Sequence, residues 1–216
     1  MLALLHTSPV HVPVFDTLRD RAHPGLRLRH FVDEDLLTRA RDQGPEAVAD
    51  DVRAVLAQAV AEGARAVLCT CSTLGAVAET VARTAAAGVP VLRVDRPMAA
   101  AGVAAGPRVV VLAALESTLG PTAELVAEEA ARAGRPVAVR TLLVDGAWDR
   151  FEAGDTEGYV RLVAATADTV TGADADAIVL AQASMAPAQH LTTTPVPVLS
   201  SPAPGLAAGA EAARGG

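Results

Sequence analysis

The sequence predicts an α/β protein built as two pseudo-twofold-related lobes, each a four-stranded parallel sheet flanked by helices, with a shared active-site cleft. Three observations carry that expectation. Short apolar runs alternate with longer alanine-rich segments, the signature of strands joined by helical crossovers. Landmarks recur in order: Val32-Asp33 is answered by Val144-Asp145 (144 minus 32, offset 112), Cys71 by Gln182 (182 minus 71, offset 111), and Val-Pro-Val-Leu at 89–92 by the same four residues at 196–199 (offset 107). Three landmarks at nearly constant offset indicate an internal duplication. The apolar runs also end in hydroxyl-rich loops, and parallel sheets bind ligands at the carboxyl ends of their strands.

Residues 2–5 read as a buried strand ending at His6-Thr7-Ser8-Pro9, and 13–22 as a helix closed by His23-Pro24-Gly25. Residues 26–32 alternate apolar with basic side chains, which marks a half-covered strand at a sheet edge. Pro45 and Gly63 bracket a long amphipathic helix with Val48, Val52, Val55, Leu56 and Val60 on one face. Residues 67–70 form a buried strand, 74–87 its helix, 89–95 a fourth strand and 97–105 a helix before the Gly106-Pro107 break. The pattern then restarts with strand 109–114, helix 121–133 stopped by Gly134, alternating strand 137–144 and strand 177–182. Asp33 and Asp145 are turn residues, and Trp148, Phe151 and Tyr159 form a local cluster under a 145–158 loop. The Gly/Ala/Pro-rich end answers the 97–105 helix, so it is expected to be helical through about Arg214 and to pack on the first lobe. The domains are then 1–97 with 201–216, and 98–200.

A chain of 216 residues buries a core without staples. Its two cysteines, one residue apart, cannot join distant parts of the fold, and no Cys/His metal spacing occurs. The N-terminus has no basic n-region and no apolar run reaches membrane-spanning length, so the expected location is a reducing cytoplasm. A net charge of −7 with five aromatic residues argues against nucleic acid as a partner and for a small molecule.

Chemistry concentrates at Cys71. Cys69 lies within its strand and is expected only to pack. Cys71 stands at the strand end, facing the first turn of a helix, where a positive potential would lower its pKa and favour the thiolate. Four loops, His6-Thr7-Ser8, Cys71-Ser72-Thr73, Glu116-Ser117-Thr118 and Gln182-Ala183-Ser184-Met185, are expected to converge on the cleft. A single hydroxyl at a helix start is ordinary capping, but four such loops suit a carboxylate. His6, Glu116 and His190 are candidates for a second acid or base.

The strand ending in Cys71-Ser72-Thr73, the duplicated halves, and Val179-Leu-Ala-Gln-Ala-Ser-Met-Ala186 resemble the aspartate/glutamate/hydantoin racemase superfamily, which also holds arylmalonate decarboxylase and maleate isomerase. The resemblance covers essentially the whole chain. It implies a homodimer that needs neither pyridoxal phosphate nor metal, and a pair of thiols, one per half, working on opposite faces of the substrate α-carbon. Cys71 falls on the first thiol. The second motif, Gly-Cys-Ala-Gly-Met-Ala in hydantoin racemases, reads here Ala181-Gln-Ala-Ser-Met-Ala186, so Gln182 takes the second thiol's place. An amide is neither acid nor base near neutral pH. Three readings follow: a one-thiol enzyme on a small carboxylic acid (decarboxylase or isomerase), a racemase with its other base elsewhere, or a non-catalytic binder of a small acid.

Overall fold

The structure is a computed structural model describing residues 1–85 and 88–215. It divides into two compact units, Met1–Val94 with the segment that starts at Pro202, and Asp95–Ser201.

In the first unit β1 (Leu2–His6), β2 (Leu28–Val32), β3 (Ala66–Cys69) and β4 (Val91–Arg93) form a parallel sheet in the order β2-β1-β3-β4. Helices α1 (His11–Ala22), α2 (Asp35–Gln43), α3 (Ala49–Ala61) and α4 (Gly75–Ala85) connect the strands. Successive side chains of a strand point to opposite faces, and both faces of β1 are covered. Ala3 and Leu5 lie under Leu36, Val52, Leu56, Val77 and Val81, while Leu2 and Leu4 meet Phe15. The alternating 26–32 run is the edge strand expected of it.

Three local differences have physical causes. The 45–63 segment is a 3-10 turn, Pro45–Val48, followed by α3, because Val48 leaves helical geometry at φ −106°, ψ 10°. Helix α2 lies between the expected elements, a short, mostly polar helix that buries only Leu36 and Ala40. Helix α4 begins one residue later than expected, and the last two residues of the expected 74–87 helix lie outside the described residues.

In the second unit α5 (Arg96–Ala105) leads into β5 (Arg108–Ala113), α6 (Leu119–Ala133), β6 (Ala138–Leu143), α7 (Ala147–Glu152), α8 (Thr156–Ala167), β7 (Ala177–Leu180) and β8 (Val198–Leu199). The sheet order is β6-β5-β7-β8, the same as in the first unit. Val110, Leu112, Ile178 and Leu180 pack against α8, and Val109, Val111, Ala113 and Val179 against α5 and α6. The expected loop over 145–158 is in fact α7 and the start of α8, separated by a break where Asp155 caps α8 by accepting the Gly158 N–H. Its aromatic cluster is present, with Phe151 between Trp148 and Tyr159 at centroid distances of 4.9 and 5.4 Å.

Helix α9 (Pro202–Gly215) returns to the first unit, where Leu206 and Ala213 join Leu2, Leu4 and Phe15. Close approach depends on glycine: a Cβ on Gly205 would lie 2.4 Å from the Val94 carbonyl oxygen.

Strand registers equate the units position by position. Leu2 pairs with Ala66 as Val109 pairs with Ala177, and Thr70 N–H donates to Leu5 as Ala181 N–H donates to Leu112. Gln182 is therefore the structural equivalent of Cys71. One landmark shifts: Asp33 and Val144 donate their N–H groups to His6 and Ala113, so the offset there is 111 (144 minus 33), not 112. The turn moves the repeat by one residue.

Candidate active site

Beyond β3 the chain turns sharply, with Leu74 N–H donating to the Cys71 carbonyl at 3.1 Å, before α4 begins. That turn leaves Cys71 half-buried at the margin of the core to which the buried Cys69 belongs. The Cys69 thiol donates to the Cys71 carbonyl at 3.6 Å, which anchors the turn and fits the packing role expected of it.

The Thr7 hydroxyl, the Leu74 and Thr73 N–H groups and the Thr73 hydroxyl surround the Cys71 sulfur as neutral donors. Each favours the thiolate. Burial nevertheless dominates and raises the thiol pKa above its ordinary value, because neutral donors do not repay the full cost of taking a sulfur anion out of water. The expectation of a lowered pKa is corrected on this point. At neutral pH Cys71 rests as a thiol, held among neutral donors that favour its conjugate base.

Residues behind the turn hold its shape. Ser72 and Thr73 are buried, and the Ser72 carbonyl accepts from the buried Arg93 guanidinium at 3.4 Å. Gly75 lets that guanidinium pass, since a Cβ there would lie 2.7 Å from Arg93 Nε. Arg93 was not among the sequence candidates, although a charge inside Val-Leu-Arg-Val was the available signal. Thr7 is buried and Ser8 half-buried at the end of β1.

His6 is committed within the unit. The Thr70 hydroxyl donates to the Leu5 carbonyl at 3.0 Å, so it accepts from His6 Nδ1 at 2.8 Å, and His6 Nε2 then accepts from His30 Nδ1 at 2.8 Å. Burial, with His30 and His11 nearby, pushes the His6 pKa down to about 3. Glu116 and His190, the other candidates for a second acid or base, are exposed.

In the second unit the equivalent turn carries Gln182, Ala183 and Ser184. Gln182 Oε1 accepts the Ala114 N–H at 2.8 Å, and its Nε2, though buried, has no partner among the described residues. Ala183 is buried, and Ser184 is tied through its hydroxyl to Tyr159 at 2.8 Å. Burial raises the Tyr159 pKa to about 12, so its hydroxyl stays protonated. Ser117 is half-buried with an unpartnered hydroxyl, and Thr118 is buried. The structure thus gathers Thr7, Cys71, Ser72 and Thr73 at the carboxyl edge of the first sheet, and Ser117, Gln182 and Ser184 at that of the second. No group of three or more His, Cys, Asp or Glu among the described residues is arranged to hold a metal ion, and no described helix is long and apolar enough to cross a membrane.

The fold is that of an aspartate racemase from Picrophilus torridus (TM-score 0.70, 14% identity, covering 99% of this chain and 94% of that one). A glutamate racemase from Bacillus anthracis matches at TM-score 0.70 and 15% identity over 96% and 79% of the two chains. Arylmalonate decarboxylase matches at TM-score 0.59 and 20% identity over 100% and 94%. No curated protein matches the sequence. The model of the Asp/Glu/hydantoin racemase family matches residues 13–209, nearly the whole chain, and the protein is an enzyme of that family.

Proposed function

We propose that the protein catalyses one-faced proton transfer at the α-carbon of a small carboxylic acid, with Cys71 as the proton carrier and without a cofactor. The observation that carries the reading is the placement of Cys71 at the strand-end turn among neutral donors, combined with burial that keeps it a thiol at rest. A thiol so held is a competent acid: it gives its proton to a carbanionic α-carbon, and the donors receive the resulting thiolate. Water restores the proton afterwards. Run in the other direction, the same thiolate removes an α-proton.

Gln182 in the equivalent position of the second unit favours one-sided chemistry over two-sided racemisation, because an amide does not carry a proton near neutral pH. Exchange with retention, tautomerisation, or protonation after loss of CO2 are the outcomes such a site supports. His6, with both ring nitrogens engaged, does not supply the missing base in this reading.

The test is solvent deuterium incorporation at the α-carbon, followed by NMR, across L- and D-aspartate, L- and D-glutamate, substituted hydantoins, arylmalonates and maleate, with CO2 release and loss of maleate read in the same tubes. The expected result is exchange or CO2 release without scrambling of configuration, falling about 100-fold or more in Cys71→Ala. Full activity in Cys71→Ala, or scrambling at the wild-type rate of exchange, overturns the reading.

A further inference from the structure

Among the described residues, the buried side-chain polar atoms without a partner are Ser117 Oγ, Thr122 Oγ1, Gln182 Nε2 and Ser201 Oγ, and all of them belong to the second unit. Their placement is not scattered. Ser117 follows β5, Gln182 follows β7 and Ser201 follows β8, three strands that are consecutive in the sheet, and Thr122 lies in the first turn of α6, which leaves the same edge. Native proteins rarely leave buried polar groups unmatched, so such a cluster at a strand-end edge asks for a ligand.

Gln182 sets the chemistry of that ligand. The Ala114 N–H holds its Oε1 at 2.8 Å, which fixes which end of the amide is which and directs Nε2 away from the backbone. An amide nitrogen only donates, and serine and threonine hydroxyls can turn to do the same. Ser184 beside it is positioned by Tyr159, whose protonated hydroxyl can donate to Ser184 Oγ and leave the Ser184 hydrogen free. Neutral donors at the ends of neighbouring strands, with the Glu116 carboxylate beside Ser117 turned out to solvent, suit an oxyanion.

We infer that Gln182, with Ser117 and Ser201, forms a donor site for one carboxylate of the substrate at the carboxyl edge of the second sheet, so that the position equivalent to Cys71 holds an oxyanion instead of moving a proton. The inference takes its ligand class from the proposed function and names where an oxygen of that ligand is bound.

Gln182→Glu is the discriminating variant. It keeps an oxygen for the Ala114 N–H and replaces only the free donor, so the fold is retained while a carboxylate meets an anion. The full chain is titrated with maleate and with phenylmalonate, binding being read by calorimetry and by the Gln182 side-chain amide signals, identified through their loss in Gln182→Glu. The expected result is a shift of those signals on saturation and affinity about tenfold or more weaker in Gln182→Glu at pH 8. Affinity returns as the pH is lowered and the introduced carboxyl gains a proton and donates. Unmoved Gln182 signals, equal affinity in Gln182→Glu, or binding of neither probe overturns the inference. Binding is read equally well in Cys71→Ala, so a Gln182-dependent site in a protein that shows no exchange would sink the proposed function alone. Exchange lost in Cys71→Ala but indifferent to Gln182→Glu would sink the donor site alone.

Discussion

Cys71 is balanced between burial, which holds the proton on, and four neutral donors, which ease it off. Removing a donor tilts that balance in a known direction. Thr7→Val keeps the shape of the side chain, deletes the hydroxyl that donates to the sulfur, and so raises the thiol pKa further. The pH midpoint of Cys71 alkylation by iodoacetamide is expected to move upward, with the rate at pH 8 falling; an unchanged midpoint would show that Thr7 contributes nothing to the thiolate. Cys71 itself was legible in the sequence because an apolar strand breaks at a thiol followed by two hydroxyls. The direction of its pKa was not, since desolvation depends on how the turn folds back on the core. Gln182 was equally visible as a departure from a thiol, whereas its unpartnered nitrogen follows from the Ala114 contact, which joins residues 68 positions apart.

Elements were read where apolar content alone defines them. The buried strands carry uninterrupted Val, Leu and Ala because helices cover both faces, and of the eight strands among the described residues seven lie within the expected spans or extend them by one residue. The eighth, β8, falls on the second Val-Pro-Val-Leu landmark. Helices α2, α7 and α8 stand outside the expected elements for different reasons: α2 is short and mostly polar, with its apolar face reduced to Leu36 and Ala40, while the aromatic residues of α7 and α8 read as a cluster under a loop. Helix α9 shows what the repeat adds, since its Gly/Ala/Pro composition alone reads as a tail. Its seat on the first sheet depends on two glycines, Gly205 against Val94 and Gly209 against Leu2. Gly205→Ala gains intrinsic helix propensity, about 1 kcal/mol, but drives a methyl group to 2.5 Å from Val94 Cγ2 and 2.4 Å from the Val94 carbonyl oxygen. Backbone cannot yield as a flexible side chain does, so overpacking wins, and a net loss of about 1–2 kcal/mol is expected in chemical denaturation. A more stable variant would mean that α9 shifts freely on the sheet.

For the molecule as a whole, the histidines of the first unit tie stability to mildly acidic pH. His6 is fully buried, neutral and doubly hydrogen-bonded, with a pKa lowered from 6.5 to about 3 by burial, His30 and His11; His11, half-buried, is lowered to about 4 by burial. Between the folded and unfolded values the unfolded chain binds the extra proton, so stability is fully present above about pH 6.5 and declines as the pH falls toward the folded values. The slope is about 1.4 kcal/mol per pH unit for His6, with a smaller share from the partly exposed His11. Carboxylates act in a lower window. Asp155, Asp174 and Asp176 are held below their ordinary value mainly by hydrogen bonds, and Asp168 by bonds from Thr193 and Thr194 that outweigh its burial, so their contribution fades only as the pH drops below about 4. Urea unfolding at pH 7.5, 6 and 5 should therefore show the midpoint falling above the window in which Asp155, Asp168, Asp174 and Asp176 act. His6→Gln, which cannot take up a proton, is expected to be less stable than wild type at pH 7.5 because the Thr70 and His30 bonds are disturbed, yet to lose less on going to pH 5. An equal slope in His6→Gln would remove His6 as the source and leave His11, and a flat wild-type profile over that range would remove both and leave acid sensitivity to the carboxylates.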